Sequence, residues 1–66
     1  MQITLNDKLM SVSSPCPLSQ LLQQLQVRQK GTALAVNGQI IPTGSWPEYL
    51  LQENDEVVVF QVIAGG

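Results

Sequence analysis

Histidine is absent from the 66 residues, and cysteine occurs once, at Cys16. The first absence removes the commonest general base and the usual zinc spacings. The second excludes an intrachain disulfide. Only three residues are basic, Lys8, Arg28 and Lys30, too few for a nucleic-acid footprint. No apolar stretch approaches the roughly 18 residues that a membrane span needs. The N-terminus alternates as Met1-Gln2-Ile3-Thr4-Leu5, unlike the basic region and apolar run of a secretion signal. These exclusions fit a cytosolic protein with a reduced thiol. No glycine pattern matches a phosphate-binding loop. With no base for Cys16 to pair with, enzyme activity in isolation is not expected.

The chain is 44% apolar and free of low-complexity tracts, which favours a folded domain over disorder. At this length there is room for one domain and one small core. Net charge is −2, and four of the five acids (Glu48, Glu53, Asp55, Glu56) crowd the C-terminal third. Two readings stand for that cluster: a solvated loop, or mild steering toward a basic partner.

Alternation at residues 1–5 and the apolar run Leu9-Met10-Ser11-Val12 read as two strands around an Asn6-Asp7-Lys8 turn. Ser13-Ser14-Pro15-Cys16-Pro17 cannot continue a strand. Pro17 suits the first helical position, with Ser14 or Ser19 as alternative caps. Leu18, Leu21, Leu22 and Leu25 repeat as one helical face, and that stripe is read as core. Arg28 and Lys30 are placed in the last helical turn, with Gly31 as the stop. Ala33-Leu34-Ala35-Val36, then Asn37-Gly38, then Gln39-Ile40-Ile41 reads as a second hairpin, ended by Pro42. Residues 43–47 form a loop, 46–51 a short helical turn, and 52–55 a polar turn. Residues 56–63 make the last strand. One helix cannot cover both faces of such a sheet.

In the last strand, Val57, Val59, Gln61 and Ile63 point one way, and Val58, Phe60 and Val62 the other. Both sets are mostly apolar, so the strand is expected at the centre of the sheet. Val57 and Val59 are assigned to the core. Val58, Phe60 and Val62 become candidate docking residues on the face without a helix. The competing reading is that loop 42–52 covers them with Trp46 or Tyr49.

The strand runs into Ala64-Gly65-Gly66. A glycine pair is the thinnest tail a chain can make. Three extended residues beyond Ile63 reach roughly 10 Å, enough to cross a short channel. The carboxylate of Gly66 is then the remaining chemical group. It is a poor electrophile until adenylation gives it a leaving group, after which a sulfur nucleophile can displace AMP. Nothing in the chain binds ATP, so a partner must hold it.

The whole chain resembles the ubiquitin-like β-grasp sulfur carriers, and within them the ThiS family of thiamine thiazole biosynthesis. The likeness rests on the Met1-Gln2-Ile3 opening, Asn6, Leu21-Leu22, Ala35-Val36-Asn37, Ile41-Pro42 and Trp46. The ending Phe60-Gln61-Val62-Ile63-Ala64-Gly65-Gly66 is its most specific part. The resemblance implies an α+β fold: a mixed sheet of about five strands with one main helix on one face, over residues 1–63, and a tail at 64–66. It implies that the chain is a protein co-substrate, not an enzyme. It binds no cofactor itself, because ATP belongs to a ThiF-like adenylyltransferase. A persulfide donor system would supply sulfur to Gly66, and thiazole synthase would consume it. Gly65 and Ala64 would thread the partners' channels, and Phe60 and Val62 match the partner-facing strand. No nucleic acid or membrane enters this scheme. The Ser14-Pro15-Cys16-Pro17 helix entrance departs from the family's more polar cap. The molybdopterin synthase small subunit, and a β-grasp modifier without sulfur chemistry, are the alternatives.

Overall fold

The computed structural model describes residues 1–28 and 30–61. They begin with a hairpin, β1 (Gln2–Leu5) and β2 (Lys8–Ser11), closed by the pair Leu5 and Lys8. Its two loop residues, Asn6 and Asp7, both hold positive φ, 48° and 68°. That is the primed turn whose twist matches the strands it joins. Lys8 therefore belongs to the second strand and not to the turn, and the strand ends at Ser11 instead of Val12. Val12 still donates its N–H to the Met1 carbonyl and is buried. The second hairpin repeats the device. β3 (Thr32–Val36) and β4 (Gln39–Ile41) flank Asn37 and Gly38, at φ 52° and 83°.

The last described strand, β5 (Glu56–Gln61), lies between the two hairpins. It runs parallel to β1 and antiparallel to β3, giving the order β2-β1-β5-β3-β4. The central position expected from its two apolar faces is where it stands. Residues 62 and 63 of that expectation, like the proposed boundary at 63, lie outside the described residues.

The helix α1 (Leu18–Leu25) crosses one face of the sheet. Leu18, Leu21 and Leu22 are fully buried against Ile3, Leu34, Val36, Ile41 and Val57. Burying each such leucine contributes about 1.5–3 kcal/mol. Val59, Leu5 and Leu25 pack at the margin of this core.

Both helix ends differ from expectation. The C-terminus comes a turn early, so Arg28 and Lys30 lie beyond the helix and Gly31 is not its stop. Gln26 takes the left-handed conformation, φ 59° and ψ 37°. Its N–H reaches Gln23 O, and the Val27 N–H reaches Leu22 O at 3.0 Å. These two bonds close a Schellman motif, with Val27 tucked against the core beside Leu22. At the N-terminus Pro17 precedes the helix as its cap residue, and neither Ser14 nor Ser19 caps it. A proline cap has no side-chain acceptor. The carbonyls of Tyr49 and Trp46 take its place, accepting the N–H groups of Leu18 and Ser19.

That contact explains the connecting loop. Helical geometry starts at Thr43–Ser45, as one 3-10 turn directly after Pro42, earlier than the expected 46–51. Trp46 ends the turn and plunges into the core, where its Nε1–H donates to the Ile41 carbonyl at 2.9 Å. Tyr49 packs against the same core. The loop thus seals the helix side and leaves the opposite sheet face uncovered. The described residues form a mixed five-stranded sheet with one helix on one face, the β-grasp arrangement.

Candidate functional site

In the sequence β5 leads to the glycine pair, which makes its two faces the candidate site. Val57 is buried in the core, while Val58 and Phe60, on the other face, are 37% and 47% exposed. The register sets Val58 beside Ala35, Ala35 beside Ile40, and Phe60 beside Ala33. Ile40 is 64% exposed and extends the apolar face across three strands. Ala35 is buried between its taller neighbours, so the middle of the face is low. Leu9 is exposed on the same side but is set apart by Thr4 and Glu56.

Two of the expected docking residues, Val58 and Phe60, are therefore brought together. Val62, Ala64, Gly65 and Gly66 lie outside the described residues. Ile40 was missed by sequence reasoning. Alternation within Gln39-Ile40-Ile41, with Ile41 turned to the core, was the signal that could have found it.

Two asparagines fix β5 from either side. β1 stops at Leu5, but Asn6 prolongs its ladder. The Asn6 N–H donates to Val57 O at 3.0 Å, and Asn6 Oδ1 accepts the Val59 N–H at 2.9 Å. Across the strand, Asn37 N–H donates to Glu56 O, and Asn37 Oδ1 accepts the Glu56 N–H. Both residues read in the sequence only as turn formers. The acid cluster is also more than a solvated loop. Asp55 accepts from Asn37 Nδ2 and from the Gln52 N–H, and Glu53 accepts from the Gln2 N–H. These bonds tie the turn before β5 to β1 and to the second hairpin.

Cys16 is buried, and burial pushes its thiol pKa up, so the thiolate that nucleophilic chemistry needs is disfavoured. Among the described residues, no group of three or more Cys, Asp or Glu side chains is placed to hold a metal ion. None of the described helices is long and apolar enough to cross a membrane.

Comparison with known proteins agrees with this geometry. The family model described as the ThiS family matches residues 3–66. The sulfur carrier protein ThiS of Escherichia coli K12 is 46% identical over 66 residues, covering all of both chains. The crystal structure of a thiamine biosynthesis protein (ThiS) from Geobacter metallireducens superposes with a TM-score of 0.86 at 23% identity, covering all of both chains. A solution structure of a thiamine biosynthesis protein from the same organism gives 0.83 at 22% identity, over all of this chain and 88% of that one. The two structures bear on the fold, and the family match and the full-length identity bear on kinship: this chain belongs to the ThiS family.

Proposed function

We propose that this chain is a sulfur carrier for thiamine thiazole synthesis, acting in the cytoplasm as a co-substrate and not as an enzyme. The observation that carries the reading is the full-length match to a sulfur carrier protein at 46% identity, ending included. In the proposed cycle, a ThiF-like adenylyltransferase holds ATP and receives Gly66. The Gly66 carboxylate attacks the α-phosphorus, pyrophosphate leaves, and an acyl-adenylate forms. The terminal sulfur of a persulfide attacks the acyl carbon and AMP leaves. A thiol then cleaves the resulting acyl disulfide, releasing a thiocarboxylate and a new disulfide. Thiazole synthase takes that sulfur.

The chain's own part is presentation. Gly65 and Ala64 pass through channels too narrow for larger side chains. Val58 and Phe60, joined by Ile40, form the apolar face that docks, and Val62 is expected from the sequence to dock with them. Asn6 and Asn37 hold the strand from which the tail departs. The buried Cys16 stays out of the exchange, since its raised pKa keeps it protonated.

The test is intact mass after incubation with ATP, the adenylyltransferase and a persulfide source. Exchange of one C-terminal oxygen for sulfur supports the reading. Unchanged mass, under conditions that load a known carrier, refutes it. An isopeptide to a lysine would mark a protein modifier instead. Consumption of the sulfur by thiazole synthase, and not by molybdopterin precursor, separates the two carrier pathways.

A further inference from the structure

Two of the three cations stand together beside the last described residue of β5. Gln61 pairs with Thr32 at the start of β3. The Thr32 hydroxyl donates to the Arg28 carbonyl, and Gly31 at φ 80° turns the chain between them. Arg28 and Lys30 are both exposed. Together with Val27, Thr32 and Gln61 they line a cleft of about 310 Å³.

Helix-dipole compensation does not account for their position. The helix ends at Leu25 with no cation in its last turn, and the Gln23 and Leu22 carbonyls already accept the N–H groups of Gln26 and Val27. The opposite end of β5 is acidic, with Glu53, Asp55 and Glu56 at its entry. The strand thus separates an acidic pole from a basic one by roughly 16–20 Å. The third cation, Lys8, sits in the first hairpin, away from this cleft.

We infer that Arg28 and Lys30 dock onto an acidic rim around the channel of the partner that receives the tail. This rests on the carrier reading above. A protein that draws the chain's end into a channel must bring its mouth against the surface beside Gln61. Two cations brought there lose water on contact, a cost that facing carboxylates would offset. A complementary rim also steers the chain tail-first, because the acidic pole is repelled from the same mouth. The partner surface that fits is therefore an acidic protein rim, which makes this cleft an orientation and recognition element and not a catalytic one.

Steady-state turnover of the purified adenylyltransferase with ATP and a persulfide source tests this, read as pyrophosphate release against carrier concentration. Arg28→Glu and Lys30→Glu should each raise KM about tenfold at low ionic strength and leave kcat unchanged. Arg28→Gln should fall between, and Arg28→Lys should stay near the wild type. Added salt should raise the wild-type KM and shrink the gap to the variants. Lys8→Glu changes net charge equally at a distant site, and its KM should stay near the wild type. An unchanged KM for the Arg28 and Lys30 variants overturns the inference while wild-type loading keeps the carrier reading intact. An equal rise for Lys8→Glu overturns it too, because the effect is then net charge. Failure of the wild type to load overturns both.

Discussion

Asn6 Oδ1 accepts the backbone N–H of Val59 at 2.9 Å, joining the first turn of the chain to its last strand. The side chain stands in for a residue that β1 does not have. Asn6→Gly keeps the left-handed turn and loses this bond, and should destabilise by about 0.5–1.5 kcal/mol. Asn6→Ala adds the left-handed penalty, about a further 1 kcal/mol. Urea unfolding of both variants checks the order. No loss for Asn6→Gly would mean that the side-chain bond is not what matters, and equal losses for the two variants would mean that the turn carries no left-handed penalty.

Gln26 holds φ 59° at the helix terminus, a conformation that a β-carbon penalises. Gln26→Gly should stabilise the fold by about 0.5–1 kcal/mol, the strain relieved exceeding the added chain entropy. The thermal midpoint should rise by about 2–8 °C. A drop would show that the Gln26 side chain makes a stabilising contact of its own.

Phe60 and Ile40 are exposed on the face that no helix covers. Phe60→Ala and Ile40→Asp should shift stability by about 1 kcal/mol or less. If this face docks, Phe60→Ala should weaken binding to the adenylyltransferase by about tenfold or more. Calorimetry of the complex beside thermal melts of the free variants separates the two effects. Normal affinity with normal melting would move docking elsewhere.

Burial raises the Cys16 pKa above its ordinary 9.0. The unfolded chain therefore releases the thiol proton first as pH rises. Below about pH 9 both states are protonated and the thiol adds no pH dependence. Above it, the unfolded state binds fewer protons and stability falls until the folded thiol also ionises. The difference in urea midpoint between wild type and Cys16→Ala, followed from pH 7 to 10.5, should shift against the wild type at the alkaline end. A constant difference would show that the thiol ionises equally in both states.

Gly65→Trp should block sulfur loading, and removal of Gly66 should abolish it, with thermal unfolding unchanged in both. Intact mass and a melt on the same sample give the two readouts. Normal loading of Gly65→Trp would refute passage through a narrow channel. Coincident loss of the thermal transition would assign these residues a structural role.

Much of this architecture was legible because its signals are local. Asn37-Gly38 and the leucine spacing from Leu18 to Leu25 each determine a neighbourhood by short-range sterics and periodicity. Alternation along β5 separated Val57 from Val58 and Phe60 in the same way. What escaped depends on partners far along the chain. The helix begins where it does because Tyr49 and Trp46 carbonyls reach Leu18 and Ser19, and no capping residue announces that. It ends at Leu25, before Gln26, a residue with no special claim to left-handed geometry, and Val27 packs back against the core. Ile40 joins the uncovered face only through Ala35, which couples β4 to β5. Arg28 and Lys30 read as the last helical turn, whereas the Schellman bonds close the helix before them.

Flanked by β1 and β3, β5 has a mechanical consequence. Tension applied along its axis loads the flanking hydrogen bonds in shear, since they run across the strands. The five pairs with β3 and the shorter ladder with β1 and Asn6 then share the force, whereas an edge strand pulled outward would peel open one bond at a time. A pull on the chain beyond Gln61, as the proposed function requires, would then meet a strand clamped along its length and not one free to unzip.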